Sequence, residues 1–149
     1  MPGKHNGLTV LDFLDEMKEE LETLFENVKL NNPRGELVSP SVYKHDLPVP
    51  QTDDDTELSY MPYVIVRANT GKIKDWDSSD QAKELTVLLL VGVYNANPQR
   101  TGSLDVLSLL QRIENHLGTT RRVGNFTVGS DFQWVLAEAD THPYFSCGA

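Results

Sequence analysis

Residues 85–94 read LTVLLLVGVY, an almost unbroken apolar run. A strand with water on one side alternates polar and apolar positions, so a continuous run marks a central strand covered on both faces. The stretch 87–93 is far short of the roughly 20 residues that a membrane span requires. The first residues, MPGKHNGLTVLDFLDEM, hold no apolar stretch of the kind a secretory signal needs before acidic residues begin. A soluble, intracellular protein is therefore expected. Its 149 residues suit a single domain, 1–149, large enough to bury a core without disulfide or metal. The one cysteine, Cys147, can form no internal bridge.

The neighbours of that strand follow from periodicity. Residues 63–68 (YVIVRA), entered through Pro62, predict a second strand rich in β-branched residues. The polar residues 70–83 between the two predict a long hairpin loop. Val10, Leu14, Met17, Leu21, Leu24 and Val28 alternate steps of four and three, and Leu11, Phe13 and Phe25 widen that stripe. This predicts a helix over 10–28, capped by Thr9, with Asp12 in its first turn and stopped by Asn31-Asn32-Pro33. The spacing is also that of a coiled coil, but it lasts under three heptads, which favours a helix lying on a sheet or a neighbour.

A second helix is predicted from Ser103 as cap to Leu117, with Asp105 in its first turn and Gly118 past its end. Leu104, Val106, Leu107, Leu109, Leu110, Ile113 and Leu117 cover so much of its circumference that it requires burial on more than one side. Strands are expected at 125–128 and 132–137, joined through Gly129-Ser130, with Phe132, Trp134 and Leu136 on one face of the latter. Residues 142–145 suit a short edge strand. The expected class is α+β, a mainly antiparallel sheet with two helices in the order α-β-β-β-α-β-β.

Charge divides the chain unevenly. The net charge is −9, yet residues 1–60 hold 13 acidic and 5 basic residues, against 9 and 8 in residues 61–149. The expected organisation is an acidic amphipathic helix (1–30), a Pro-rich extended arm (31–61) with a strand-like pattern only at 42–47 and a mobile stretch near 51–59, and a near-neutral core (62–149). An acidic chain lacks the basic patch that displaces counterions from nucleic acid and that docks on anionic membranes. The pair Arg121-Arg122 does not make such a footprint. The acidic front segment is expected to be repelled from DNA, whereas the near-neutral core is not.

No catalytic constellation emerges. Asp53-Asp54-Asp55 cannot converge on one cation without unusual backbone geometry, and reads as a solvated run. The segment 75–86 starts like a calcium loop but has Asp80 where Gly is needed and Thr86 where Glu is needed. His142 and Cys147, with His116, supply too few metal ligands and no shown base for a thiol, so a hydrolase built on them is a distant reading. Gly124 and Gly129 lack the Lys-Ser/Thr of a phosphate loop, and the Asn125-Phe126-Thr127 sequon has no meaning without secretion. No catalytic residue, metal ligand or cofactor-binding residue is assigned. Trp76, in a polar loop, is either a contact anchor or a ring folded back on the sheet.

The back half carries a resemblance. Met61-Pro62-Tyr63-Val64-Ile65-Val66-Arg67, then Val91-Gly92-Val93-Tyr94, then Gly102, Asp105, Val106, Leu107, Leu110, Arg112 and Ile113 follow one another in a set order. Gly124, Phe126, Trp134 and His142-Pro143-Tyr144-Phe145 continue it. This pattern, over about residues 40–149, resembles the tail terminator (tail completion, head–tail joining) proteins of long-tailed bacteriophages and prophages. The resemblance implies a small non-enzymatic subunit, without cofactor, that forms a ring, commonly a hexamer. Its partners would be further copies of itself, the tail tube protein and the head–tail connector, in the virion neck and in the host cytoplasm during assembly. Contact residues for such a ring are expected among Trp76, Tyr43, Leu47, Leu104, Leu107, Tyr144 and Phe145. The alternative is another neck or minor capsid component, or an α+β domain that binds a small ligand or peptide.

Overall fold

In the computed structural model, which describes residues 9–47, 60–74, 82–96, 102–124, 126–129, 132–136 and 144–148, the first element is the expected acidic helix. α1 (Val10–Phe25) starts at a reciprocal cap: the Asp12 N–H donates to Thr9 Oγ1 at 3.1 Å, and the Thr9 N–H donates to Asp12 Oδ2 at 3.2 Å. Its stripe buries Phe13, Leu14, Met17, Leu21 and Phe25. The helix ends at Phe25, three residues before the expected Val28, because the chain turns there and the Val28 N–H bonds the Phe25 carbonyl.

Asn31-Asn32-Pro33 is therefore not a helix stop. It opens a hairpin between β1 (Leu30–Asn31) and β2 (Leu37–Val38). Asn32 Oδ1 accepts the N–H groups of Arg34 and Glu36, and Gly35 takes φ 82°, a conformation that glycine adopts without steric cost. The segment expected as a free arm continues into β3 (Ser41–Lys44), which pairs in parallel with β4 (Tyr63–Lys74). Up to Asp46 the arm is thus part of the fold; the expected mobile stretch 51–59 lies outside the described residues.

β4 and β5 (Ala82–Tyr94) form an antiparallel hairpin far longer than expected, from Tyr63↔Gly92 to Lys74↔Ala82. The polar residues predicted as loop are strand at both ends, where 70–74 pair with 82–86. The sheet order is β3-β4-β5-β9-β8, so β5 is central as expected, but both helices cover the same face of it and Leu88 and Leu90 on the other face are only half-buried. β9 (Tyr144–Gly148) is not an edge strand: it lies between β5 and β8 (Val135–Leu136), antiparallel to both. The sheet is α+β in class and antiparallel apart from the β3–β4 pair.

α2 (Gly102–Thr120) is longer than expected at both ends, so Ser103 lies inside the helix and Gly118 lies in its last turn. The helix runs on because its final carbonyls find donors. Thr120 Oγ1 donates to the His116 carbonyl at 2.9 Å, and the Arg121 N–H donates to that of Leu117 at 2.8 Å, with Arg121 at φ 55°. Arg121 ends the helix and leads into β6 (Arg122–Val123), and Gly124, at φ 56°, starts the turn that lets β6 pair with β7 (Phe126–Thr127). Among the described residues the two expected strands do not pair with each other through Gly129-Ser130: β7 pairs with β6, and β8 pairs with β9. Phe132 and Leu136 are half-buried against the core while Trp134 is exposed.

Both helices share one core with one face of the sheet. Phe13, Leu14, Met17, Leu21 and Phe25 of α1 and Val106, Leu109, Leu110, Ile113 and Leu117 of α2 meet Val42, Val64, Val66, Leu89, Val91 and Val93. The alternate residues Ile65 and Leu90, paired across the hairpin, lie on the opposite face. Replacing fully buried Phe25 with Ala is expected to cost about 3–5 kcal/mol in urea unfolding. Leu11→Ala, at a side chain 73% exposed, is expected to stay within about 0.5 kcal/mol.

Candidate functional site

The β4–β5 hairpin has two halves with different surroundings. Its first half is flanked by β3 along Tyr63–Val66 and by β9 along residues 90–94. Beyond this, residues 70–74 pair with 82–86 as a two-stranded ribbon, and among the described residues no third strand joins either edge. The register shifts between Ala68 and Thr70, which puts an extra residue, Asn69, into β4 where the sheet gives way to the ribbon. Such a bulge sharpens the local twist and re-aims the strands. Thr70, Gly71, Lys72 and Ile73 are all exposed, Ile73 at 38%. Open strand edges are templates for pairing with another chain.

The root of the ribbon is tied down by side chains. His45, at φ 65°, donates its N–H to the Val66 carbonyl at 2.8 Å. Its Nε2 accepts the Ala68 N–H at 3.3 Å, and its carbonyl accepts Arg67 Nε at 2.8 Å. Arg67 Nη2 also meets Asp46 Oδ1 at 3.0 Å. On the helix side, Lys44 Nζ reaches Asp15 of α1 at 2.6 Å, which joins β3 to the acidic helix. Inside the first half, Gly92 faces Tyr63, whose ring lies 2.5 Å from where a Cβ would stand.

The residues expected to make contacts are not gathered at one place. Tyr43 stands in β3 on the face away from the helices, its ring edge-on to Tyr60 with centroids 6.2 Å apart. Leu47 is half-buried beyond the β3 turn. Leu104, at the start of α2, is 61% exposed, whereas Leu107 is half-buried against the core. Tyr144 and Phe145 lie in β9, in register with Tyr94 and Val93. β9 is three strand spacings from β3, about 14 Å across the sheet. Trp76 lies outside the described residues, as do Asp53-Asp54-Asp55, His142 and the segment 75–80.

The acidic helix keeps Asp15, Glu19, Glu22 and Glu26 exposed, with Lys18 Nζ 2.8 Å from Glu22. Glu20 turns inward: its Oε1 lies 2.6 Å from His116 Nε2, bridging α1 and α2 with both side chains about one-third exposed or less. A double-mutant cycle of Glu20→Gln and His116→Gln is expected to give a coupling of about 1 kcal/mol at neutral pH, since the pair is partly shielded from water. Additive effects would show that the two helices are held by apolar packing alone.

Sequence reasoning missed the ribbon and the His45–Arg67 root. The ribbon had only a weak local signal, Ile73 between Lys72 and Lys74, because residues 82–86 do not alternate with the strand period. The root had none, because it depends on a backbone turn that the residue types Lys44-His45-Asp46 do not encode. Among the described residues, no three His, Cys, Asp or Glu side chains converge to hold a metal ion, and no helix is long and apolar enough to cross a membrane. No protein-family model matches the chain, and no curated protein matches it significantly.

Proposed function

We propose that the protein is a structural virion-assembly subunit of a tailed phage or prophage. In this reading, copies join head-to-tail into a ring, a hexamer, that ends the tail tube and joins it to the head connector. The subunit works through its surfaces, without catalysis and without a cofactor. It belongs in the virion neck and passes through the host cytoplasm during assembly.

The observation that carries this reading is the ribbon. A closed ring needs two different surfaces on each subunit that fit each other. The two edges of the ribbon are such a pair of surfaces, one on β4 and one on β5, and they face opposite ways. A two-stranded ribbon on its own is marginally stable in water, so partner strands along its edges would stabilise it. The residue pattern over 40–149 supports the same reading through its likeness to tail terminator proteins.

Light scattering of the purified chain, alone and with isolated tail tubes, tests the reading. The expected result is a ring-sized assembly in at least the second condition. Ile73→Asp places a charge on the ribbon outside the core, and is expected to abolish assembly while holding the thermal midpoint within about 3 °C. A chain that stays monomeric with tail tubes present contradicts the reading.

A further inference from the structure

His45 occupies the position at which the parallel β3–β4 ladder would make its next rung. Its N–H makes the first half of that rung, to the Val66 carbonyl. In a regular ladder its carbonyl would then accept the Ala68 N–H. The left-handed turn at His45, φ 65°, points that carbonyl elsewhere, and the imidazole Nε2 accepts the Ala68 N–H in its place. The displaced carbonyl is taken up by Arg67 Nε. A side chain thus substitutes for the backbone at the last rung before the bulge that starts the ribbon.

A ring nitrogen can accept that hydrogen bond only while it carries no proton. We infer that His45 is a proton-operated latch, closed when the imidazole is neutral and opened by its protonation, which frees the end of β3 from the root of the β4–β5 ribbon. The sign follows directly. The closed form excludes a proton from Nε2 and the open form accepts one, so acid drives opening and a rise in pH favours closure.

The charged surroundings are those of a root that stays tethered elsewhere. From β4 comes the Arg67 guanidinium, bonded to the His45 carbonyl and to Asp46. From α1 comes Asp15, engaged by Lys44 of β3. Asp46 is largely exposed on the far side of Arg67, and Tyr43, two residues back, packs edge-on against Tyr60. Protonating His45 adds a second cation beside Arg67, which acts in the same sense as the loss of the acceptor. The inference stands on the His45 geometry alone and holds for a ribbon with or without partners.

Amide hydrogen exchange by NMR on the full chain, at pH 7.5 and pH 5.0, tests it, with rates expressed as protection factors to remove the intrinsic pH dependence. The Ala68 amide is expected to lose at least about fivefold in protection at pH 5.0, the scale of one net hydrogen bond, while Leu89 and Val91 change little. At pH 7.5 the ring nitrogens are expected to show Nδ1 protonated and Nε2 bare. His45→Asn tolerates the left-handed backbone and keeps an acceptor that does not titrate, so its Ala68 step is expected to vanish. Unchanged Ala68 protection in the natural chain, a proton on Nε2 at pH 7.5, or an equal step in His45→Asn would each overturn the latch. The first two readings do not depend on the variant folding.

Discussion

The pairing of β4 with β5 is the interaction on which the other elements depend. It sets Val64 beside Val91 and Val66 beside Leu89, which creates a continuous apolar face on the central strands. Both helices bury their stripes on that face, and β3 and β9 extend it to either side. A slip of one residue would exchange this face for the one bearing Ile65 and Leu90, and neither helix would then meet the residues it now packs against. Gly92 helps to fix the register, since a side chain there would collide with the Tyr63 ring paired across from it.

The same pairing continues where the core ends. Along residues 63–68 and 87–94, side-chain burial and flanking strands stabilise the hairpin. Along 70–74 and 82–86 no third strand flanks the hairpin among the described residues; Leu85 still packs against the core, whereas exposed Thr70, Gly71, Lys72 and Ile73 contribute little burial. Local stability is therefore expected to fall across the bulge at Asn69, most of all at the exposed residues 70–73 of β4. An element that is costly to maintain alone and cheap to stabilise by pairing suits a subunit whose partners are other proteins. The acidic helix, by contrast, is docked by five buried side chains.

Much of the core was legible in the sequence because its signals are local. The spacing of Leu14, Met17 and Leu21, the Thr9–Asp12 cap and the apolar run at 85–94 each follow from one short segment, although Val10 and Leu11 of the same predicted stripe are exposed. What the sequence left unread depends on contacts between distant residues. Whether Tyr144–Gly148 lies at an edge or between β5 and β8 is decided by which strands reach it, and short strands carry no signal of their neighbours. The extension of α2 past Gly118 rests on Thr120 and Arg121 satisfying the last carbonyls, a compensation that overrides the usual stop. Asn31-Asn32-Pro33 opens a turn rather than stopping the helix; Pro after a helix is an equally good sign of either. Of the residues singled out for contact, sequence gave their apolar character but not their dispersal over both layers of the fold.

Residue-resolved hydrogen exchange of the isolated chain and of the chain assembled on tail tubes tests the division of the hairpin most directly. In the isolated chain, amides of residues 70–74 and 82–86 are expected to exchange by local opening, well before those of 63–66 and 89–93. On assembly the ribbon amides are expected to gain protection and the core amides to stay as they were. Ribbon amides as protected as the core in the isolated chain, or an assembly that leaves them unchanged, would contradict a ribbon that is free in the monomer and paired in the ring.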